Sequence, residues 1–158
     1  MSAAENQTSV LTRYKRKGPV GLREFAGLLE STPLDRRKRI LETALAEDPR
    51  YVELAQKYVY VFDDVFKLPS QEFDILMGTV PPRLMGVALQ GVDPEQLRLI
   101  LQSCQPRVRS GIQEVIDQSA TPVQISGARY KVIEFLRGLE KSGHILTKAI
   151  PGKLPDLG

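Results

Sequence analysis

Apolar residues recur at the spacing of an α-helix along most of the chain. The longest stripe has separations of three or four residues, which place its members on one helical face. It consists of Ile125, Ala128, Val132, Leu136 and Leu139. No run alternates polar and apolar residues as a half-buried strand does. The pattern therefore predicts an all-α protein.

Prolines divide the chain into short helices. Proline is favoured at the first position of a helix, because its missing N–H has no partner there and its φ is already set. Five prolines follow a capping or polar residue: Pro33, Pro49, Pro94, Pro106 and Pro122. Gly143 is expected to end the last helix in a left-handed conformation. Short helices with short connections predict stacked helical hairpins, as in armadillo and HEAT arrays.

The chain is expected to have two small helical subdomains with an irregular segment at each end. Residues 1–17 are polar and partly basic without a helical period, which predicts a flexible arm. Residues 18–59 and 60–146 hold the predicted helices. Residues 147–158 contain too much proline and glycine for another helix, so we expect an irregular tail that trails off the domain.

Composition limits the classes of protein that fit. A length of 158 residues, with 42% apolar and 26% charged residues, is typical of a folded globular chain. No apolar stretch approaches the roughly 18 residues that span a bilayer, and residues 1–10 lack the apolar core of a signal peptide. These features favour a cytoplasmic protein without membrane insertion.

The sequence offers no persuasive catalytic, cofactor or metal site. Cys104 is the only cysteine and His144 the only histidine, which excludes an internal disulfide and argues against zinc. A nucleophilic pair of these two residues would require a tertiary contact, and Cys104 lies at a predicted helix end. No glycine-rich phosphate loop is present. We therefore predict a protein that is not an enzyme and carries no cofactor.

Two charged regions are candidate interaction surfaces. On the helix after Pro106, Arg107, Glu114 and Asp117 lie opposite the apolar stripe, with Arg109 beside them. The basic run at residues 36–39 could meet phosphate backbones, acidic lipid or an acidic protein surface. Both patterns also fit ordinary solvated helix faces, whose charges serve only solubility.

Several motifs together resemble the C-terminal part of the bacterial flagellar motor switch protein FliG family. Tyr60-Val61-Phe62-Asp63-Asp64-Val65 resembles the Phe-x-Phe-Glu-Asp-(Leu/Ile/Val) signature of that region. Residues 21–29 and 40–49 resemble the helices before the signature, and residues 87–91 and 121–145 resemble segments after it. Their order and spacing make the resemblance specific, and it extends from about residue 18 to residue 145.

The resemblance implies a rotor-ring component with armadillo-like helices that stack between subunits. It also implies a hinge at Tyr60, Val61 and Phe62, and a charged ridge that meets the membrane-embedded stator. Arg107 and Glu114 match charged positions of the ridge. The chain departs from the family where Val115 replaces a second acid, and where Gln90 and Gln124 replace basic residues. The family's N-terminal domain and most of its middle domain have no counterpart in these 158 residues.

The leading hypothesis is therefore a cytoplasmic protein at the flagellar basal body on the inner membrane. Its expected partners are other switch and rotor proteins and the stator's cytoplasmic loop, with self-association through helix stacking. One alternative is an armadillo-like interaction scaffold unrelated to motility. A less favoured one is a nucleic-acid-binding module that uses the basic residues at 13–17 and 36–39.

Overall fold

A computed structural model describes residues 11–157, and these residues form helices joined by short connections. No strand occurs among them, so the predicted all-α fold is confirmed. The helices are α1 (11–16), α2 (Pro19–Ser31), α3 (Leu34–Glu47), α4 (Pro49–Gln56), a 3₁₀ helix (Phe62–Lys67), α5 (Ser70–Thr79), α6 (Pro82–Ala88), α7 (Pro94–Ser103), α8 (Pro106–Ile116) and α9 (Pro122–Lys141).

The ends of these helices follow the local signals in the sequence. Four of the five prolines open helices α4, α7, α8 and α9, whereas Pro33 is the residue before α3. At the start of α9, the Thr121 hydroxyl accepts a hydrogen bond from the Gln124 N–H, and the Gln124 side chain accepts one from the Thr121 N–H. Gly143 follows the end of α9 with φ of 82°. These contacts satisfy helix-end groups that would otherwise lack partners.

The chain divides into two compact units. Unit 1 comprises Met1–Val59 and Lys148–Gly158, and unit 2 comprises Tyr60–Thr147. The chain therefore passes from one unit to the other twice, once between Val59 and Tyr60 and once between Thr147 and Lys148.

Most of the buried side chains of unit 1 come from α2 and α4. The largest buried side chains of α2 are Leu22, Phe25 and Leu29, and they belong to the same core as Tyr51 and Val52 of α4. The rings of Phe25 and Tyr51 lie 5.8 Å apart between centroids. Helix α3 contributes a single buried side chain, that of Ala44. The core of this unit is therefore formed mainly by α2 and α4.

The described part of the predicted flexible arm is ordered, which corrects the prediction from residue 11 onward. Residues 11–16 are helical, and Leu11 is only 3% exposed in the core of unit 1. The Tyr14 ring packs on Phe25, with 5.3 Å between centroids, and the Lys15 ammonium pairs with the Asp48 carboxylate. Two apolar anchors dock residues 11–16 on unit 1, although they are too few to create a stripe in the sequence. Residues 1–10 lie outside the described range.

The C-terminal segment is irregular, but it does not trail off the domain. Ile150 is 7% exposed and belongs to the core of unit 1, and Leu154 and Leu157 pack against that core. The Lys148 ammonium donates a hydrogen bond to the Val59 carbonyl at 2.9 Å. Proline and glycine exclude a helix here, as predicted, but they do not prevent apolar side chains from packing.

Unit 2 has a larger core that includes the 3₁₀ helix and residues of α5 to α9. Its largest fully buried side chains are Tyr60, Leu76, Met85, Leu89, Ile112, Leu136 and Ile145. The core includes Val108 and Ile112 of α8, so the opposite face of α8 is left at the surface.

Candidate functional site

The predicted charged ridge lies on helix α8, which is firmly packed against the rest of unit 2. Its residues Val108, Ile112 and Val115 are buried. Helix α6 approaches it so closely that a Cβ atom on Gly86 would lie 2.2 Å from Val115 Cγ2. A Cβ atom on Gly111 would likewise lie 2.4 Å from Pro82 Cβ. Because two glycines allow this close contact, the position of α8 against α6 is tightly fixed.

The ridge itself is exposed and carries both signs of charge. Arg107 and Glu114 are both exposed and lie seven residues apart, hence on one face of α8. Glu114 Oε2 lies 3.9 Å from Arg83 Nε on α6, and the two side chains are 61% and 71% exposed. Such a solvated pair contributes little to folding. We define the ridge as Arg83, Arg107, Glu114 and Asp117.

Asp117 lies at the C-cap of α8 and is exposed. A carboxylate is mildly unfavourable at this end of a helix, because the helix dipole places partial negative charge there. The stability of α8 therefore does not explain an acidic residue at this position.

Arg109 has a role inside the fold, and its predicted role in binding a partner stays a prediction. Its Nε donates to the Leu101 carbonyl at 2.8 Å, and its Nη2 donates to the Cys104 carbonyl at 3.0 Å. The guanidinium thus caps the C-terminal end of α7, where carbonyl groups lack helical partners. We leave Arg109 out of the ridge for this reason.

The sequence does not indicate that Arg83 belongs to the charged ridge. It lies just after Pro82 in the first turn of α6, and nothing local to it signals a pairing with a residue 31 positions later. Only the packing of α6 against α8 brings the two charges together.

The uncharged residues near the ridge have structural roles. The Gln90 side chain donates to the Val115 carbonyl at 3.1 Å and accepts from the Ala120 N–H at 3.2 Å. An ammonium or guanidinium has no acceptor and could not make both bonds. Gln124 forms the capping box of α9, and Val115 is buried. At these three positions, the uncharged side chains therefore support the fold of unit 2.

The predicted hinge residues lie at the start of unit 2. Tyr60 and Phe62 are buried in its core, and Val61 between them is 44% exposed. The Tyr60 hydroxyl donates to the Thr147 carbonyl, and the Arg137 guanidinium lies over the Tyr60 ring at 4.5 Å. These contacts fix Tyr60 and Phe62 within unit 2. A hinge role for this segment stays a prediction.

The basic run at residues 36–39 lies on α3. Arg36, Lys38 and Arg39 are exposed, whereas Arg37 is partly buried and its Nη2 donates to the Thr32 carbonyl at 3.3 Å. One of the four cations is therefore engaged at the C-terminal end of α2.

Residues 11–157 contain no group of three or more His, Cys, Asp or Glu side chains arranged to hold a metal ion. In the same range, no helix is both long and apolar enough to cross a membrane.

Cys104 is expected to react slowly with thiol reagents while unit 2 is folded. The side chain is buried, and burial raises the pKa of its thiol, so little of the reactive thiolate forms near neutral pH. In native buffer, we expect a labelling rate at least about 100-fold below that of the urea-unfolded chain. Because the chain has one cysteine, the rate of modification by a chromogenic disulfide reports on unit 2 alone. Equal rates in the two states would contradict the burial of Cys104.

Comparison with known proteins identifies the family. The sequence profile described as FliG C-terminal domain matches residues 42–146, which is more than half of the chain. The flagellar motor switch protein FliG of Thermotoga maritima is 22% identical over 129 residues, which cover 80% of this chain and 38% of that protein. The chain thus corresponds to well under half of the length of this relative.

A solved structure has a similar fold. The crystal structure of FliG residues 116–343 from H. pylori superposes with a TM-score of 0.55 at 18% identity, covering 80% of this chain and 56% of that one. The similarity supports the all-helical fold. The match of the family profile begins within α3 and includes all but the last residue of unit 2. The chain therefore belongs to the FliG C-terminal domain family.

Proposed function

We propose that the protein is a non-enzymatic component of the flagellar rotor that binds other rotor proteins. The observation that carries the proposal is the family match over residues 42–146, which contains the whole exposed ridge. The relative from Thermotoga maritima is a flagellar motor switch protein. The proposal places the chain in the cytoplasm, peripheral to the inner membrane at the flagellar base.

The ridge is the proposed docking surface within unit 2. Its charges are solvated and contribute little to the stability of the fold. Across an interface, however, complementary charges govern encounter and orientation, and a wrong sign repels the partner. A ridge with Arg83 and Arg107 beside Glu114 and Asp117 suits a partner loop that also carries both signs. More specifically, we propose that this partner is the cytoplasmic loop of the stator. The second proposed binding mode is stacking of unit 1 on another rotor subunit.

Charge reversals on the ridge are expected to separate stability from binding. Arg107→Glu and Glu114→Lys should each change the free energy of unfolding by less than about 1 kcal/mol, because both side chains are solvated. Each should weaken co-purification with the rotor and stator proteins of the native cell at least about fivefold at low salt, and less at high salt. Thermal melts and quantitative pull-downs at two salt concentrations measure the two effects.

Arg98→Glu on α7 is the matched control. Arg98 is an exposed arginine of unit 2 that pairs with Glu95, and its reversal makes the same charge change as Arg107→Glu. It should leave binding and swimming unchanged. If the two ridge variants bind and swim like the wild type, in a strain that needs the gene for motility, the ridge is not the docking surface. Loss of motility with the Arg98 variant as well would indicate a nonspecific effect of charge.

A further inference from the structure

Helix α3 carries apolar side chains that unit 1 does not cover. Leu34 is 67% exposed, Leu45 is 44% exposed, and Leu41 is only partly buried. Together with Lys38, these leucines are three or four positions apart, so they form one stripe along the helix. Ala44, the buried side chain of α3, lies roughly 90° around the helix from this stripe. The stripe therefore lies at the surface of unit 1 and not in its core.

The charges of α3 are mostly arranged against its helix dipole. The basic run at residues 36–39 lies in the first half of the helix, and Glu42 and Glu47 lie in the second half. The dipole favours acids near the start of a helix and cations near its end, and only Asp35 follows that order. The stability of α3 therefore does not explain its charge pattern.

Two of these charges are placed to contact a partner of the stripe. Lys38 lies in the stripe and Glu42 lies beside it, and both side chains are exposed. Neither makes an ion pair or a hydrogen bond within residues 11–157, although only four positions separate them. A lysine four residues before a glutamate is the less favourable order for pairing within one helix. Both charges are thus available to a second molecule.

The pattern is complementary to itself when a second copy of the helix is reversed. If two antiparallel α3 helices cross between residues 39 and 40, Leu34 of one copy lies opposite the partner's Leu45. Lys38 then lies opposite the partner's Glu42, with an offset of about 1.5 Å along the helix axis. A two-fold axis makes each of these contacts occur twice. The exposed leucines and both charges then find partners at the same time.

We propose that unit 1 forms a two-fold dimer with a second copy of the chain through this face of α3, with the two helices antiparallel. Self-complementarity is what selects a second copy, because α3 itself supplies the order of leucine, cation, acid and leucine that the face requires. One helical face is a small interface, so the dissociation constant is on the order of 10–100 µM. The proposal does not rest on the flagellar function and involves no residue of the ridge.

Sedimentation equilibrium of the purified full chain, at about 5–500 µM, tests the dimer without any other protein. We expect the mean mass to rise with concentration from that of the monomer toward that of the dimer. Leu34→Asp should raise the dissociation constant at least about tenfold, because it places a charge in the apolar contact. Leu146→Asp is the matched control and should leave association unchanged, since Leu146 is a 71% exposed leucine of unit 2.

Charge reversals test the antiparallel order of the helices. Lys38→Glu and Glu42→Lys each place like charges opposite one another, so each variant alone should associate at least about fivefold more weakly. An equimolar mixture of the two restores opposite charges in both contacts, and its association should return to within about twofold of the wild type. Thermal melts should match the wild type, because both side chains are exposed.

Three outcomes would overturn the proposal. The chain would stay monomeric over the whole concentration range, or Leu34→Asp would leave the dimer intact. Alternatively, the mixture of the two charge variants would associate no better than either variant alone. None of these outcomes bears on the proposed function, because the assay contains only this chain.

Discussion

Replacing Phe62 with alanine is expected to lower the free energy of unfolding of unit 2 by about 3–5 kcal/mol. The ring is 9% exposed in the core and packs edge-on against Phe66, with 5.7 Å between centroids. It also supports Arg129, whose guanidinium lies 4.9 Å from the ring centroid while donating to the Ala88 and Gln90 carbonyls. The substitution therefore leaves a cavity. It also removes the ring that supports Arg129, whose guanidinium caps the C-terminal end of α6. Urea denaturation followed by circular dichroism measures the loss.

Val61→Ala provides the comparison in the same segment. Val61 is much more exposed than Phe62, so its truncation should cost less than about 1 kcal/mol. The labelling rate of Cys104 gives a second readout and should rise strongly for the Phe62 variant alone. A loss below about 1 kcal/mol for Phe62→Ala would mean that the ring is not a core residue, and would indicate a partner surface instead.

Two hydrogen bonds lie beside the predicted hinge. Tyr60 and Phe62 are anchored in unit 2, and the Tyr60 hydroxyl bonds to Thr147, the last residue of the same unit. On the other side, Lys148 bonds to the carbonyl of Val59, the last residue of unit 1 before the first crossing. In each unit, a hydrogen bond thus links the two places where the chain crosses to the other unit. Because peptide bonds are planar, a hinge at these crossings would have to use the torsion angles beside them, ψ of Val59 with φ of Tyr60 and ψ of Thr147 with φ of Lys148. A hinge role stays a prediction.

Local signals explain why so much of the fold could be predicted from the sequence. A helix start depends on residues within one turn, as with Thr121, Pro122 and Gln124, and a helix end can depend on one glycine, as with Gly143. Apolar stripes identify the buried face of a helix without knowledge of its partner. In the same way, the apolar stripe of α8 predicts that Arg107 and Glu114, on the opposite face, are exposed.

Contacts between distant residues account for what could not be predicted. The capping role of Arg109 depends on where α7 ends in space, and the pairing of Arg83 with Glu114 depends on two glycines at the contact between α6 and α8. The sequence around Leu11 predicts a polar arm, because one or two apolar anchors in a short stretch produce no helical period. Ile150 was missed for the same reason in a stretch without a helix.

Replacing Gly21 with alanine is expected to destabilise unit 1 by about 2 kcal/mol, and it tests the packing of α1 directly. A Cβ atom at Gly21 would lie 1.8 Å from the Tyr14 carbonyl oxygen and 2.7 Å from its carbonyl carbon. Backbone atoms cannot rotate away, so α1 and α2 must separate, which costs about 3 kcal/mol at the upper end of the usual range for overpacking. The better helix propensity of alanine returns about 1 kcal/mol.

Gly27→Ala in the same helix is the matched control. A Cβ atom there would meet no other atom within 4 Å, so the gain in helix propensity is not opposed and stability should rise by about 0.5–1 kcal/mol. The two alanine variants should therefore differ by about 3 kcal/mol in urea denaturation, with faster amide hydrogen exchange in residues 11–16 only for Gly21→Ala. If residues 11–16 were instead a flexible arm, Tyr14 would not lie over α2, and Gly21→Ala would be as harmless as Gly27→Ala. Equal stability of the two variants would thus restore the flexible arm and remove α1 from the core of unit 1.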